Sequence, residues 1–175
     1  FIVLYLLCTS LALIAQRRWP LFIGLWVATI GNQATVTLLK SFFGRERSVL
    51  GYFTETSHSF PSGHAAASVA IWGMLFYVAW RSRVLSATRG ALGGVTLAFL
   101  IGASRSILVE HYLSDVMNGY FVGAMWLVIG IAVSEWWRHT HVAPSSTLTR
   151  SRLTLSYGGL AVAAIGTVVL MAILT

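Results

Sequence analysis

Six uncharged stretches of 15 to 23 residues recur along this chain, and they decide what it can become. A helix crossing hydrocarbon about 30 Å thick needs roughly 20 consecutive, mostly apolar residues. The stretches are Phe1 to Ala15, Pro20 to Leu39, Phe60 to Trp80, Gly90 to Ser104, Val116 to Ser134 and Leu153 to Thr175. The fourth is short and is expected to continue through Arg105 towards Val109. Small residues run through all of them, as close helix packing in lipid favours. Only 10% of the 175 residues are charged, against about 25% in a soluble domain, so a water-soluble globule is excluded. The predicted fold is all-α: one polytopic transmembrane helical bundle of about six spans, residues 1–175 forming a single membrane domain.

Twelve basic residues stand against five acids, a net charge of +7. A nucleic-acid partner would need a basic, water-facing surface, and too few polar residues exist to build one. The single cysteine, Cys8, excludes an intrachain disulfide and a cysteine-rich metal centre. The first apolar stretch is not a secretory signal, since no basic segment precedes it and no small-residue cleavage site follows.

Six spans leave five loops on alternating sides. Eight arginines (Arg17, Arg18, Arg81, Arg83, Arg89, Arg138, Arg150 and Arg152) fall in the first, third and fifth loops, and four cations (Lys40, Arg45, Arg47 and Arg105) fall in or beside the second and fourth. The positive-inside rule puts the first group in the cytoplasm, so the second and fourth loops are expected to face outward. With Phe1 then also outside, and the chain starting in mid-stretch, at least one further helix is expected upstream. Trp136 and Trp137 read as an interfacial belt on the cytoplasmic side.

Those two outward loops, Lys40 to His64 and Ser104 to Asp115, hold three of the five histidines and four of the five acids. Charges at a membrane edge are costly, and such a cluster reads as a functional site. Taken singly, Lys40 is a snorkelling anchor, Arg47 a solvated loop residue, and Pro61-Ser62-Gly63 a helix start. His64 would lie in the first turn of that helix, where free N–H groups attract anions. His111 and Asp115 are four apart, which on a helix gives one shared face; a carboxylate on one imidazole nitrogen leaves the other free as base or nucleophile. Arg105 offers a planar fork of donors for phosphate oxygens. Placed at the same ends of their spans, these groups suit phosphoryl transfer, with cations stabilising charge around a nucleophile and an acid. Two histidines and a carboxylate also suit zinc, but the three cations beside them favour an anion. Glu110, Glu46 and His58 read as loop residues, and Asn32 and Gln33 as interhelical hydrogen-bond partners.

The motifs Lys40 to Arg47, Pro61-Ser62-Gly63-His64 and Ser104-Arg105 to His111 and Asp115 resemble those of the type-2 phosphatidic acid phosphatases, lipid phosphate phosphatases related to the vanadium haloperoxidases. The family pattern reads KxxxxxxRP, PSGH and SRxxxxxHxxxD; here Ser48 stands where the first motif has proline, and the likeness covers about residues 20–134. The resemblance implies that His111 attacks phosphorus to give a phosphohistidine, that Asp115 holds its ring, and that His64 protonates the leaving oxygen. It implies that Lys40, Arg47, Arg105, Ser62 and the Gly63 N–H hold the phosphate, without metal or other cofactor. The expected substrate is a lipid phosphate in the membrane: undecaprenyl pyrophosphate, phosphatidylglycerol phosphate or phosphatidic acid. The expected location is a bacterial-type inner membrane, with the site facing the periplasm. The family core usually has a helix before the span that precedes the first motif, which agrees with a missing upstream helix and makes Leu153 to Thr175 an added span. The wording around Gly44 to Arg47 and Ser59 to Ala66 is also similar to phosphatase domains fused behind DedA-type proteins. Two other readings keep the same site: a phosphotransferase passing the phosphoryl group to another acceptor, and a non-catalytic lipid-phosphate binder or transporter.

Overall fold

A computed structural model describes residues 2–48 and 57–141. Five helices follow one another: α1 (Ile2–Ala15), α2 (Trp19–Phe43), α3 (Gly63–Arg81), α4 (Ala87–Ile107) and α5 (Leu113–His141). The last four, of 25, 19, 21 and 29 residues, are long and apolar enough to cross a membrane. The 14 residues of α1 span about 21 Å at 1.5 Å per residue, less than the hydrocarbon thickness. The expected sixth span, Leu153 to Thr175, and the loop residues Arg150 and Arg152 lie outside the described residues.

Apolar side chains cover the lateral surface. Leu38 is 70% exposed, Val95 70%, Phe99 65% and Phe121 68%, a coat that only lipid can solvate and that identifies an integral membrane protein. Inside the bundle, α2 and α5 make the most extensive contact. It is permitted by glycine: a Cβ on Gly24 would lie 2.5 Å from the Gly130 carbonyl, so the two backbones approach as small residues allow in membranes. Leu13, Leu25, Ala28 and Met74 fill the centre without exposure.

The termini of α2 and α3 bring the polar loops together. Gly44 ends α2 in the left-handed region at φ 56°, its N–H donating to the Lys40 carbonyl at 3.0 Å, a conformation glycine adopts without steric cost. The chain then turns across the bundle end as Arg45-Glu46-Arg47. Helix α3 starts at Gly63, three residues later than the apolar stretch, because Ser62 caps it: its hydroxyl accepts from the Ala65 N–H at 3.4 Å. The Ser62 N–H donates to the Asp115 carbonyl at 2.9 Å, and a Cβ on Gly119 would strike the Ser62 carbonyl at 2.5 Å. The first turn of α3 therefore rests directly on the first turn of α5. A π-turn at Ser68–Trp72 interrupts α3 below this point.

Along α4 the packing is looser. An apolar cleft of about 510 Å³ separates α4 from α5, floored by Val69, Gly73 and Phe76 of α3, and Tyr120 and Phe99 line it near the end that carries the polar loops. At the opposite end of the bundle, Glu135 binds Arg81 Nε at 3.0 Å and also accepts from Tyr77 and Arg138, while Arg18 donates to Ser82 at 2.5 Å.

Candidate active site

The segment between α4 and α5 makes a tight reversal. Val109 takes φ 56°, which a β-branched residue reaches only at a cost of about 1–3 kcal/mol. The reversal swings Glu110 and His111 back towards α4, where both their N–H groups donate to the Arg105 carbonyl, at 3.1 and 3.3 Å. Both side chains are thereby buried, Glu110 to 4% and His111 to 6% exposure.

Helix α5 begins at Leu113, so His111 precedes it and does not share a helical face with Asp115, contrary to the expectation from their spacing. Asp115, with no exposure, sits in the first turn of α5 and accepts from the Tyr112 N–H at 3.1 Å, which closes that turn. The same Oδ2 lies 3.7 Å from His111 Nδ1. That is within ion-pair range and beyond a hydrogen bond, and the buried Nδ1 has no hydrogen-bond partner among the described residues. The other carboxylate oxygen is held by Arg45, whose Nη1 donates at 2.8 Å and also bonds Ser114 Oγ at 2.9 Å. The Arg45 guanidinium lies over the Tyr112 ring, 4.3 Å from its centroid, a cation–π contact.

Arg47 faces the opposite edge of the imidazole. Its Nη1 stands 3.5 Å from His111 Nε2 and donates to the Glu110 carbonyl at 3.0 Å, with Glu110 Oε2 at 3.4 Å. Its Nε and Nη2 donate to Ser57 O and Oγ at 2.7 and 3.1 Å. Lys40 donates to the His58 carbonyl. The fully buried Ser59 ties the two sides of this loop, its N–H to the Arg45 carbonyl at 2.8 Å and its Oγ to the Glu46 carbonyl at 3.1 Å.

These surroundings fix the charge on His111. Burial strips water from the imidazolium, and Arg47 and Lys40 repel it; Asp115 and the Ser59 backbone pull weakly the other way, and the ring's pKa falls to about 4. At neutral pH the imidazole is uncharged, with an available lone pair, and it is faced by cations that an anion would neutralise.

Of the residues singled out from sequence, Lys40, Arg47, His111, Asp115 and Ser62 converge on one end of the bundle. Gly63 and His64 open α3 beside Asp115, with His64 exposed. Arg105 joins this group through its carbonyl, while its guanidinium Nε faces Ser104 Oγ at 3.4 Å. The motifs alone did not single out Arg45, Glu110 or Ser57 as site residues. A hint lay in the alternation Arg45-Glu46-Arg47 opposite two acids that flank His111. Among the described residues, no three His, Cys, Asp or Glu side chains are grouped to hold a metal ion.

A family model described as the PAP2 superfamily matches residues 2–139. No curated protein matches the chain. Among solved structures, a transmembrane PAP2-type phosphatidylglycerolphosphate phosphatase from Bacillus subtilis superimposes with a TM-score of 0.68 at 21% identity, covering 79% of this chain and 70% of that one. That likeness establishes the shared helical fold.

Proposed function

This chain belongs to the PAP2 superfamily, and on that premise we propose that it is a metal-independent membrane phosphatase acting on lipid phosphates or diphosphates through a phosphohistidine on His111. The observation that carries the proposal is a buried neutral imidazole, its Nε2 3.5 Å from Arg47 Nη1, at a bundle end where Lys40, Arg105 and the start of α3 also meet.

In the first step the Nε2 lone pair forms a bond to phosphorus, and the bond from phosphorus to the lipid oxygen breaks. His64, at the solvent-facing first turn of α3, gives that oxygen its proton. The imidazole becomes positively charged as it is phosphorylated, and Asp115 stabilises that charge from the Nδ1 side; the 3.7 Å separation would shorten as the charge develops. In the second step His64 takes a proton from water, the new oxygen–phosphorus bond forms, and the nitrogen–phosphorus bond breaks to release orthophosphate. Lys40, Arg47, Arg105, the Ser62 hydroxyl and the Gly63 N–H hold the non-bridging oxygens. Such preorganised donors act on charge as it develops. Arg105 reaches this position by exchanging its Ser104 contact for phosphate.

The apolar coat of the bundle and the apolar cleft between α4 and α5 support a lipid over a soluble phosphate ester, since both offer surface to an acyl or prenyl tail. The neighbour's substrate suggests phosphatidylglycerol phosphate as a candidate beside phosphatidic acid and undecaprenyl pyrophosphate. The arginine distribution supports an outward-facing site, which in a bacterial-type inner membrane is the periplasmic face. A phosphotransferase would share the first step and differ in the acceptor. A pure binder would need the cations but not the His111–Asp115 pair.

The test uses purified protein in detergent with a chelator present. Release of inorganic phosphate from a panel of lipid phosphates is expected for the native chain and not for His111→Ala. Full activity in that variant would overturn the mechanism, and strict dependence on added divalent metal would overturn metal independence. Reporters fused at Arg83 and at Thr54 test orientation: the first should report cytoplasm and the second the outer side.

A further inference from the structure

Glu110 has no role in the chemistry above, yet it is among the most buried charged groups of the site. A buried carboxylate is retained only where partners compensate its lost hydration, and Arg47 is one of them here, with Oε2 3.4 Å from Nη1. Nε and Nη2 of the same guanidinium donate to Ser57. Nη1 is thus the nitrogen claimed by Glu110, through carboxylate and carbonyl together, and it is also the nitrogen 3.5 Å from His111 Nε2. A phosphoryl group in line with Nε2 would direct an oxygen at that same nitrogen. Carboxylate and phosphate therefore compete for one donor.

We infer that Glu110 is an internal competitor, holding Arg47 while the site is empty and giving way to the substrate's phosphate, so that it sets how tightly phosphate is held. The inference rests on the phosphate-site reading above. Among the described residues, four cations (Lys40, Arg45, Arg47 and Arg105) stand with three acids (Glu46, Glu110 and Asp115) at this bundle end. Without a competing anion, a dianionic product would remain on the cations. When Glu110 reclaims Arg47, the product loses its partner nearest the nucleophile and leaves. Glu110 touches Arg47 and not the reacting atoms, and it is a positioning residue.

The experiment measures orthophosphate affinity by calorimetry on the full chain in detergent, alongside kcat and KM for a lipid phosphate. Glu110→Gln should bind orthophosphate about five-fold more tightly, the size of one partly screened charge contact. Its KM should fall with the dissociation constant, and its kcat should fall as product release slows. Glu110→Asp, which withdraws the carboxylate by one methylene, should tighten binding about two-fold and serves if the glutamine variant does not fold. In an Arg47→Gln background the Glu110→Gln gain should vanish. Unchanged or weaker phosphate binding in folded Glu110→Gln, or in Glu110→Asp where only that variant folds, would overturn the inference while leaving the phosphate site intact. Failure of the native chain to bind orthophosphate at all would overturn the phosphate-site reading itself.

Discussion

At the end of the bundle remote from His111, Glu135 is bonded by Tyr77, Arg81 and Arg138, and its oxygens are fully engaged. At the other end Asp115 and Glu110 are each claimed by an arginine, Arg45 and Arg47, but the ring between them is not. His111 keeps one buried nitrogen without a hydrogen-bond partner and the other 3.5 Å from a cation. Both ends use arginine against carboxylate at an edge of the membrane. The difference lies in what remains unsatisfied. A network that closes on itself ties helices together, whereas cations packed around a neutral imidazole are completed by an anion.

Substitutions should separate the two ends, in descending order of effect. His111→Ala should lower phosphate release by about 10³-fold or more while leaving the helical circular dichroism unchanged. Asp115→Asn should cost about 10²- to 10³-fold in kcat, because it removes the stabiliser of the charged ring and leaves Arg45 without its carboxylate. Arg45→Gln should be milder, about ten-fold. It frees the Asp115 carboxylate to act on His111 alone, so the acidic limb of kcat/KM should move to higher pH. Glu135→Gln should change activity less than about three-fold while destabilising the protein by about 1 kcal/mol, read as a lower thermal midpoint in detergent. Equal losses of activity at Glu135 and Asp115 would erase the contrast.

The pH dependence sharpens it further. With the His111 pKa near 4 in the folded chain and about 6.5 unfolded, the unfolded state binds more protons between those values. Stability therefore rises with pH across that window and is lost as pH falls from 6.5 towards 4, with a ceiling of about 3 kcal/mol. Thermal midpoints measured from pH 4 to 7 should show this slope in the native chain and a shallower one in His111→Ala.

Much of this was legible in the residues. Apolar stretches announced α2 to α5 because hydrocarbon tolerates few charges, and scarcity made the polar motifs conspicuous. What escaped were pairings across the loops. The spacing of His111 and Asp115 suggested one helical face, but the left-handed turn at Val109 and the Tyr112 N–H on Asp115 delay the helix to Leu113. Arg45 looked uncommitted, since nothing in a linear sequence tells which of two neighbouring arginines meets Asp115 and which meets Glu110. Ser62 and Gly63 were readable as a helix start, while their seat on α5 depends on Gly119, a contact that no local pattern reveals.

The most direct measurement is covalent trapping on the full chain. Protein mixed with a lipid phosphate labelled in its phosphorus, quenched within the first turnover and digested, should carry an acid-labile, base-stable label on His111. The label should be absent from His111→Ala. Active protein that never carries label, or carries it on another residue, would contradict the assignment of His111 as the nucleophile.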